Sequence, residues 1–513
     1  MSRRPPARPG ALLALLMLSS TARAQEPRPH SGWPWDPDVT NVPARDRQPR
    51  PPGRIDNQRQ WLASEQSGGW RAYLGDLHAH SRGHDLPGEA TPNLQRDEVG
   101  LSAWYFGYDF IAVTNHATSW KVTDQLAPLY RTYVGRTSPE PLDLLALKGV
   151  ESYAGPGNQA HFNAFNRLVI LDTDSLAVWH HALMAFSAED PLNSTHVQLN
   201  HPNPGEPWFR LPPESDPEAR RLVRRVVELA EYKGLDNFFE LLRRGFRVAP
   251  VSNTDSHANF HHEPEPGVPP EVTRGQPPGP RAGLVLPAGE PLSYEAFLRA
   301  LRERRAFHTS VATASGFFLA NGHPMGAEFA LAPGERRLDL TVWASSRGGR
   351  PGLEGWRRLE VWSPLQPGVP LAVFEPGAPT PVELKQTLSL TPYESIYVVR
   401  LEREGPEAEV VLAPIWITNP LARPALSLEG PHEGAGPRAS GPPCLRVQGG
   451  GEALWLQRAE ATDAPGAWRT VASLPAGERC HPVGSALVPG TRWRVVDALQ
   501  DEVVSNTVRV PGD

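Results

Sequence analysis

Leu74-Gly75-Asp76-Leu77-His78-Ala79-His80-Ser81 is the stretch on which the reading of this chain turns. An apolar run enters two histidines one residue apart. A strand alternates its side chains, so His78 and His80 point the same way and can grip one metal ion. Alone, such a pair is more readily a chance occurrence on a loop. The remainder of the chain supplies the further ligands that a metal site needs.

Outward from this run the same arrangement recurs. Phe110-Ile111-Ala112-Val113-Thr114 leads into Asn115-His116. Leu144-Leu145-Ala146-Leu147 leads through Gly149-Val150 to Glu151. Phe162–Phe165 starts directly after His161. His196–Asn200 runs into His201-Pro202, and Phe246–Val251 runs into Asp255-Ser256-His257. Short apolar runs of this kind read as buried parallel strands. Helical stretches sit between several of them. Thr91 with Pro92 opens one that continues to about Phe106, and Asp236–Arg244 forms another, stopped by Gly245. Arg220–Glu231 fits helical spacing, although Arg225–Ala230 also fits a strand. Strands alternating with helices, with functional residues at strand ends, predict a β/α barrel whose site lies at its C-terminal face.

Beyond Ser293 a helix is expected through Arg305. From Phe317 the pattern becomes all-β, with alternating segments such as Leu338–Trp343, Leu359–Trp362 and Ile396–Leu401. The domain plan that follows is a signal peptide over 1–24, a Pro-rich leader over 25–70, a β/α barrel over 71–316, a β-sandwich-like domain over 317–423, a linker over 424–443 and a small β domain over 444–513.

Composition narrows the function. The chain has 513 residues and a formal net charge of -6, which argues against a nucleic-acid partner held by a broad basic surface. Arg3 and Arg4, the apolar core Ala11–Leu18 and the small-x-small Ala22-Arg23-Ala24 read as a Sec signal, which places the product in the periplasm or outside the cell. No other stretch is apolar and long enough to span a bilayer. No lipobox cysteine follows the signal. The two cysteines, Cys444 and Cys480, form one disulfide if the fold brings them together. Among the 57 prolines, the runs Pro27–Pro52 and Pro264–Pro280 read as exposed leader and surface loop, the second also placed to act as a lid.

Twelve of the 17 histidines fall between His78 and His262. Nine residues are candidate ligands: His78, His80, Asp85, His116, Glu151, His161, His201, Asp255 and His257. One ion takes about four, so the set implies two or three divalent ions sharing a bridging carboxylate, for which Glu151 is the best candidate. With no cysteine in this half, the metal is zinc, manganese or iron. Among the other histidines, His180, His181, His196 and His308 read as surface or packing residues. His261 and His262 can equally line a site mouth. Glu228, Glu231 and Lys233 can reach a site or sit on a solvated face. Trp208 and Phe209 can wall a pocket or pack a loop.

Six motifs in order, Gly75-Asp76-Leu77-His78-Ala79-His80-Ser81, Thr114-Asn115-His116, Gly149-Val150-Glu151, His161-Phe162-Asn163, Asn200-His201-Pro202 and Thr254-Asp255-Ser256-His257, resemble those of the PHP metallohydrolase superfamily, most of all its CehA/McbA-like branch. The resemblance covers about Tyr73–Phe318. It implies a distorted (β/α)7 barrel with a two- or three-metal centre and a trailing β domain. His78, His80, Glu151 and Asp255 would hold one ion; Glu151, His161 and His201 a second; Asp85, His116 and His257 a third. The chain departs from that pattern at Asn115, where an aspartate is usual, and in Ser81–Gly88, where only Asp85 matches, with His84 beside it as a substitute.

A secreted metal-dependent hydrolase is the activity this implies. A metal-bound hydroxide would attack a small phosphoester or a related ester, with Glu151, His201 and His257 in the catalytic machinery. A carbamate or carboxyl ester is the alternative substrate. No Gly-x-Ser-x-Gly elbow is present. A reading from another class is a non-catalytic, metal-stabilised protein whose C-terminal β domains contact glycan or protein.

Overall fold

A computed structural model describes residues 60–61, 69–80, 103, 108–117, 144–155, 160–203, 209–255, 281–310, 314–345, 355–366, 368–376, 383–403 and 408–421, together with eight strands between 425 and 509 and the single positions 468 and 491. The expected signal peptide, nearly all of the leader, all but Ala103 of the expected Thr91–Phe106 helix, the Pro264–Pro280 loop and most of the linker lie outside the described residues.

The chain begins with β1 (Gln60–Trp61), β2 (Trp70–Ala79), β3 (Phe110–Val113), β4 (Leu145–Ala154), β5 (Ala160–Asn166) and β6 (Asp172–Thr173). Helix α1 (Leu176–Ala185) follows, capped by the Ser175 side chain, which accepts from the Val178 N–H. Then come β7 (Thr195–Leu199) and α2 (Pro217–Val226), with Asp216 as cap and Pro217 at the first helical position. The ambiguous stretch divides without a loop: α2 ends at Val226 and β8 (Val227–Glu231) starts at the next residue. After these come α3 (Leu235–Arg243), β9 (Ala249–Val251), β10 (Arg281–Pro287), α4 (Tyr294–Arg302) and β11 (Ala306–Thr309).

These strands do not form the expected (β/α)7 barrel. Strands dominate the described residues, which hold only four α-helices. The main sheet has seventeen strands and is mixed. β2, β3 and β4 run parallel, as do β7, β8 and β9. Between the two groups, β4–β5 and β5–β7 are antiparallel, and on the other side β2–β10 and β10–β11 are antiparallel too. The physical reason is chain length. Only residues 155–159 join β4 to β5. A parallel crossover needs about a dozen residues, so the chain turns back as a hairpin. His161 and the run behind it therefore sit on an antiparallel strand, not a parallel one. The sheet curls until the residues after β9 meet β2: Asp255 N–H donates to His78 O at 2.8 Å and Leu77 N–H to Asn253 Oδ1 at 2.7 Å.

The C-terminal half continues this sheet. The next strands are β12 (Ser315–Ala320), β13 (His323–Pro324), β14 (Glu328–Phe329), β15 (Leu338–Ser345), β16 (Trp356–Trp362), β17 (Ala372–Phe374), β18 (Glu383–Leu390), β19 (Ile396–Arg403), β20 (Glu409–Leu412) and β21 (Ile415–Ile417). β20 pairs with β11, Phe307 opposite Leu412 and Thr309 opposite Val410, so the main sheet crosses the expected boundary at 316/317. β12, β13, β15 and β18 form a second sheet of four. One apolar core runs through both halves, from Tyr73, Phe110 and Phe307 to Leu401, Leu412 and Ile415. The eight strands after Pro424 form two further sheets. In one of them Cys444 pairs with Pro482 and Cys480 with Arg446, two register steps apart. No helix among the described residues is long and apolar enough to cross a membrane.

Candidate metal centre

The end of β2 carries His78 and His80 into a buried cluster with Glu151, from the middle of β4, and Asp255, four residues past β9. His78 Nε2 lies 3.3 Å from His80 Nε2, 3.3 Å from Glu151 Oε1 and 3.2 Å from Asp255 Oδ1. His80 Nε2 lies 3.1 Å from Asp255 Oδ1 and 3.4 Å from Glu151 Oε2. Two donors about 2.0–2.1 Å from one ion at a tetrahedral angle stand about 3.3 Å apart, so this spacing suits a shared cation. A second group, Glu151, His161 and His201, converges beside the first. His161 Nδ1 is 3.0 Å and His201 Nε2 3.9 Å from Glu151 Oε1. Glu151 thus belongs to both groups.

His116 adjoins them through Glu151 Oε2 at 3.0 Å, with its ring stacked between those of His80 and Tyr153. Glu151 Oε2 accepts no hydrogen bond among the described residues, despite two imidazole nitrogens within 3.4 Å. A buried carboxylate oxygen in that position is costly unless a cation satisfies it. The donors present therefore fit a metal ion. Asp85, His84, His257, His261 and His262 lie outside the described residues, so of the three ligands expected for a third ion only His116 is placed.

The charge balance points the same way. Burial opposes a proton on His78, but the carboxylates of Glu151, Asp255 and Glu231 outweigh it and hold its pKa well above the imidazole range. Burial would likewise raise Glu151, yet the imidazoles of His78, His161 and His116 hold it well below the carboxylate range. The cluster draws positive charge to its centre. His201 goes the other way: burial lowers its pKa and keeps it neutral, as a ligand must be.

Backbone strain marks the same residues. His201 has φ 28° and Asp255 φ 47°, in the left-handed region where non-glycine residues are costly. Both are pinned. Glu231 Oε2 accepts from the His201 N–H at 2.6 Å, and His78 O accepts from the Asp255 N–H at 2.8 Å.

Several supporting residues lie outside the nine candidate ligands. Glu231, at the end of β8, accepts from His78 Nδ1 at 2.9 Å, which leaves the His78 Nε2 lone pair facing the cluster. An amide chain supports it from below. Asn253 Nδ2 donates to Gln198 Oε1 at 3.1 Å, Gln198 Nε2 to Asn200 Oδ1 at 3.0 Å, and Asn200 Nδ2 to Glu151 Oε1 at 2.9 Å. Asn163 Nδ2 holds Leu77 O at 3.0 Å. Asp76 accepts from the His78 N–H at 2.9 Å, and burial pushes its pKa up to about 6. Except for Glu231, each of these polar residues stands within three places of a candidate ligand in the sequence.

The remaining candidates have structural partners. His180 faces Arg210 O and His181 faces Ala177 O, both at 2.7 Å. His196 Nδ1 donates to Glu228 Oε2 at 2.7 Å, and Arg302 Nε donates to the other oxygen of Glu228 at 2.7 Å. His308 is buried on β11, Lys233 is exposed, and Phe209 packs on Trp179 in the core. Trp208 lies outside the described residues.

No family model matches the chain, and no curated protein does. Among solved structures, the human OSCAR ligand-binding domain is 16% identical, covers 38% of this chain and 97% of its own, and has a TM-score of 0.14. The chicken CNTN1 FN1–FN3 domains are 12% identical, cover 36% of this chain and 60% of their own, and have a TM-score of 0.12. At such scores neither likeness bears on fold or function.

Proposed function

We propose that the chain is an exported, metal-dependent hydrolase that cleaves phosphoesters, or the related carbamate and carboxyl esters, at the Glu151 cluster. The observation that carries this is one carboxylate shared by two groups of donors: His78, His80 and Asp255 on one side, His161 and His201 on the other. Such sharing is how a site holds two ions close enough to act on one substrate. The motifs resembling the PHP superfamily support the same reading; the barrel that goes with them in that superfamily plays no part in it.

Two or three ions of zinc, manganese or iron would be held, the third depending on His116 with Asp85 and His257. Bound there, they would acidify a water and polarise the P=O or C=O oxygen of the substrate. The protein's own part is positional. Glu231 fixes the His78 tautomer and the His201 backbone. The most open members, Asp255 at 37% and His201 at 32% side-chain exposure, face the side from which a substrate arrives. His201 holds a proton poorly, so in this reading it is a ligand and not the proton source for the leaving oxygen.

Elemental analysis of the exported protein, paired with chromogenic phosphate, carbamate and carboxyl esters, tests the proposal. Bound metal and chelator-sensitive cleavage of at least one ester are expected. Bound metal with no cleavage of any would overturn the enzyme and leave the metal-stabilised binding protein. Absence of metal would overturn both.

A further inference from the structure

A second charged site lies at the other end of the strands that carry the metal centre. Glu231 closes β8 on the cluster side; Arg224 and Arg225 sit just ahead of its first residue. The five residues of β8 separate the two ends by roughly 16 Å. At this far end is a pocket of about 420 Å³. Four arginines line it from one helix, α2: Arg220, Arg221, Arg224 and Arg225. Arg247 enters from the segment before β9, Arg302 from the end of α4, and Arg304 from the turn between α4 and β11. Only two carboxylates, Glu214 and Glu328, share the lining.

The arginines are not neutralised by their neighbours. Arg225 and Arg221 pair with Glu189, Arg221 also with Glu218, and Arg302 with Glu228. Counting these three outside carboxylates with the two in the lining, two positive charges remain uncompensated. Arg224 and Arg220 both bring a guanidinium nitrogen against Gly245. Arg224 Nε and Arg304 Nη2 spend donors on backbone carbonyls, Gly245 O at 2.9 Å and Arg224 O at 3.3 Å, which fixes the side chains without cancelling charge. Two buried guanidinium nitrogens of the lining residues, Arg247 Nη1 and Arg302 Nη2, have no hydrogen-bond partner among the described residues. Arg247 and Arg304 also lie over the Trp416 ring at 5.5 and 5.6 Å, which braces both. Burial, with the Arg302 and Arg247 charges adding to it, lowers Arg304 to about 10; burial, Arg247 and Arg220 lower Arg224.

We propose that this pocket binds a small oxyanion ligand, bearing a phosphate or sulfate group, at a site separate from the metal centre. Held guanidiniums with spare donors match the forked geometry of such an anion, and the volume admits a group larger than the bare ion. A chance basic surface would have mobile side chains and no buried spare donors.

Isothermal titration of the full chain with inorganic phosphate, sulfate and a hexose phosphate tests this, against sodium chloride at equal ionic strength. Saturable binding is expected. Arg220→Gln/Arg247→Gln should weaken it about tenfold or more. Glu328→Gln should tighten it, because Glu328 occupies Arg247 Nη2 at 3.0 Å. A hexose phosphate that binds better than phosphate identifies an organic ligand; equal binding identifies the free ion. Circular dichroism and metal content of each variant report folding independently of binding. Heats matched by chloride, or unchanged in the arginine variant, would overturn the proposal. So would binding lost in His80→Ala but kept in the arginine variant, which would put the anion on the metal centre. None of these outcomes depends on whether the chain hydrolyses esters.

Discussion

Two glutamates on one strand do different work. Glu231 bonds His78 and the His201 backbone; Glu228, three residues earlier, bonds His196 and Arg302. Glu231→Gln should reduce metal affinity by about 10–100-fold, as loss of an orienting carboxylate does, with the fold intact by circular dichroism. Competition against a coloured chelator measures it. Glu228→Gln should cost about 3 kcal/mol of stability, because Arg302 loses its buried counter-charge, and leave metal affinity unchanged. If the two variants behaved alike, the distinction would collapse. At this scale the sequence spoke clearly through its histidines, because imidazoles at strand ends have few other uses. It left Glu231 open between a site residue and a solvated face and gave Asn200 and Gln198 no role, because polar residues on a strand read as a wet face until the fold covers them.

Between elements, contacts set both the stability and its pH dependence. Gly75 on β2 stands opposite Phe110 of β3. A side chain there would collide with the Phe110 ring and carbonyl oxygen. Gly75→Ala should destabilise the chain by about 1–3 kcal/mol, read as a lower urea midpoint, since backbone must move to admit the methyl. On β11, His308 is enclosed by Ser252 after β9, the stacked Tyr232 after β8, Glu409 on β20 at 3.9 Å and Arg400 on β19. Burial, with Arg400 adding to it, lowers its pKa to about 3. Between that value and the ordinary 6.5 the unfolded chain binds a proton that the folded chain does not. Stability should therefore fall on acidification through this range, by up to roughly 1.4 kcal/mol per pH unit from this group. Urea unfolding at about pH 7 and about pH 5, with His308→Gln as reference, isolates the contribution; equal slopes would refute it. Strand positions were legible from the apolar runs, but direction was not. A run buried on both faces looks the same whether its neighbour is parallel or antiparallel, and only the short 155–159 connection betrays the hairpin that breaks the expected barrel.

Across the whole molecule, the change of pattern at Phe317 was plain in the sequence, yet it does not mark a separable unit. β11 is hydrogen-bonded on one edge to β10 and on the other to β20, and the core around Phe307 includes Leu401, Leu412 and Ile415. Pairings between segments about a hundred residues apart leave no periodic trace, which is why the boundary looked real. The arginine pocket escaped for the same reason: its residues, spread from Arg220 to Arg304, read singly as solvated charges. These observations give opposite expectations for two truncations. A chain ending at Gly316 strips β20 from β11 and leaves Phe307 uncovered, so it should aggregate or fail to unfold cooperatively. A chain ending at Leu421 keeps every strand of the main sheet and loses only the two sheets built after Pro424, with which the main sheet shares no strand pairing among the described residues. It should keep its metal content and a cooperative unfolding transition. Thermal unfolding and elemental analysis of both chains decide the matter: a stable, metal-loaded chain ending at Gly316 would show that the shared sheet is dispensable, and loss of metal from the chain ending at Leu421 would show that the tail supports the site.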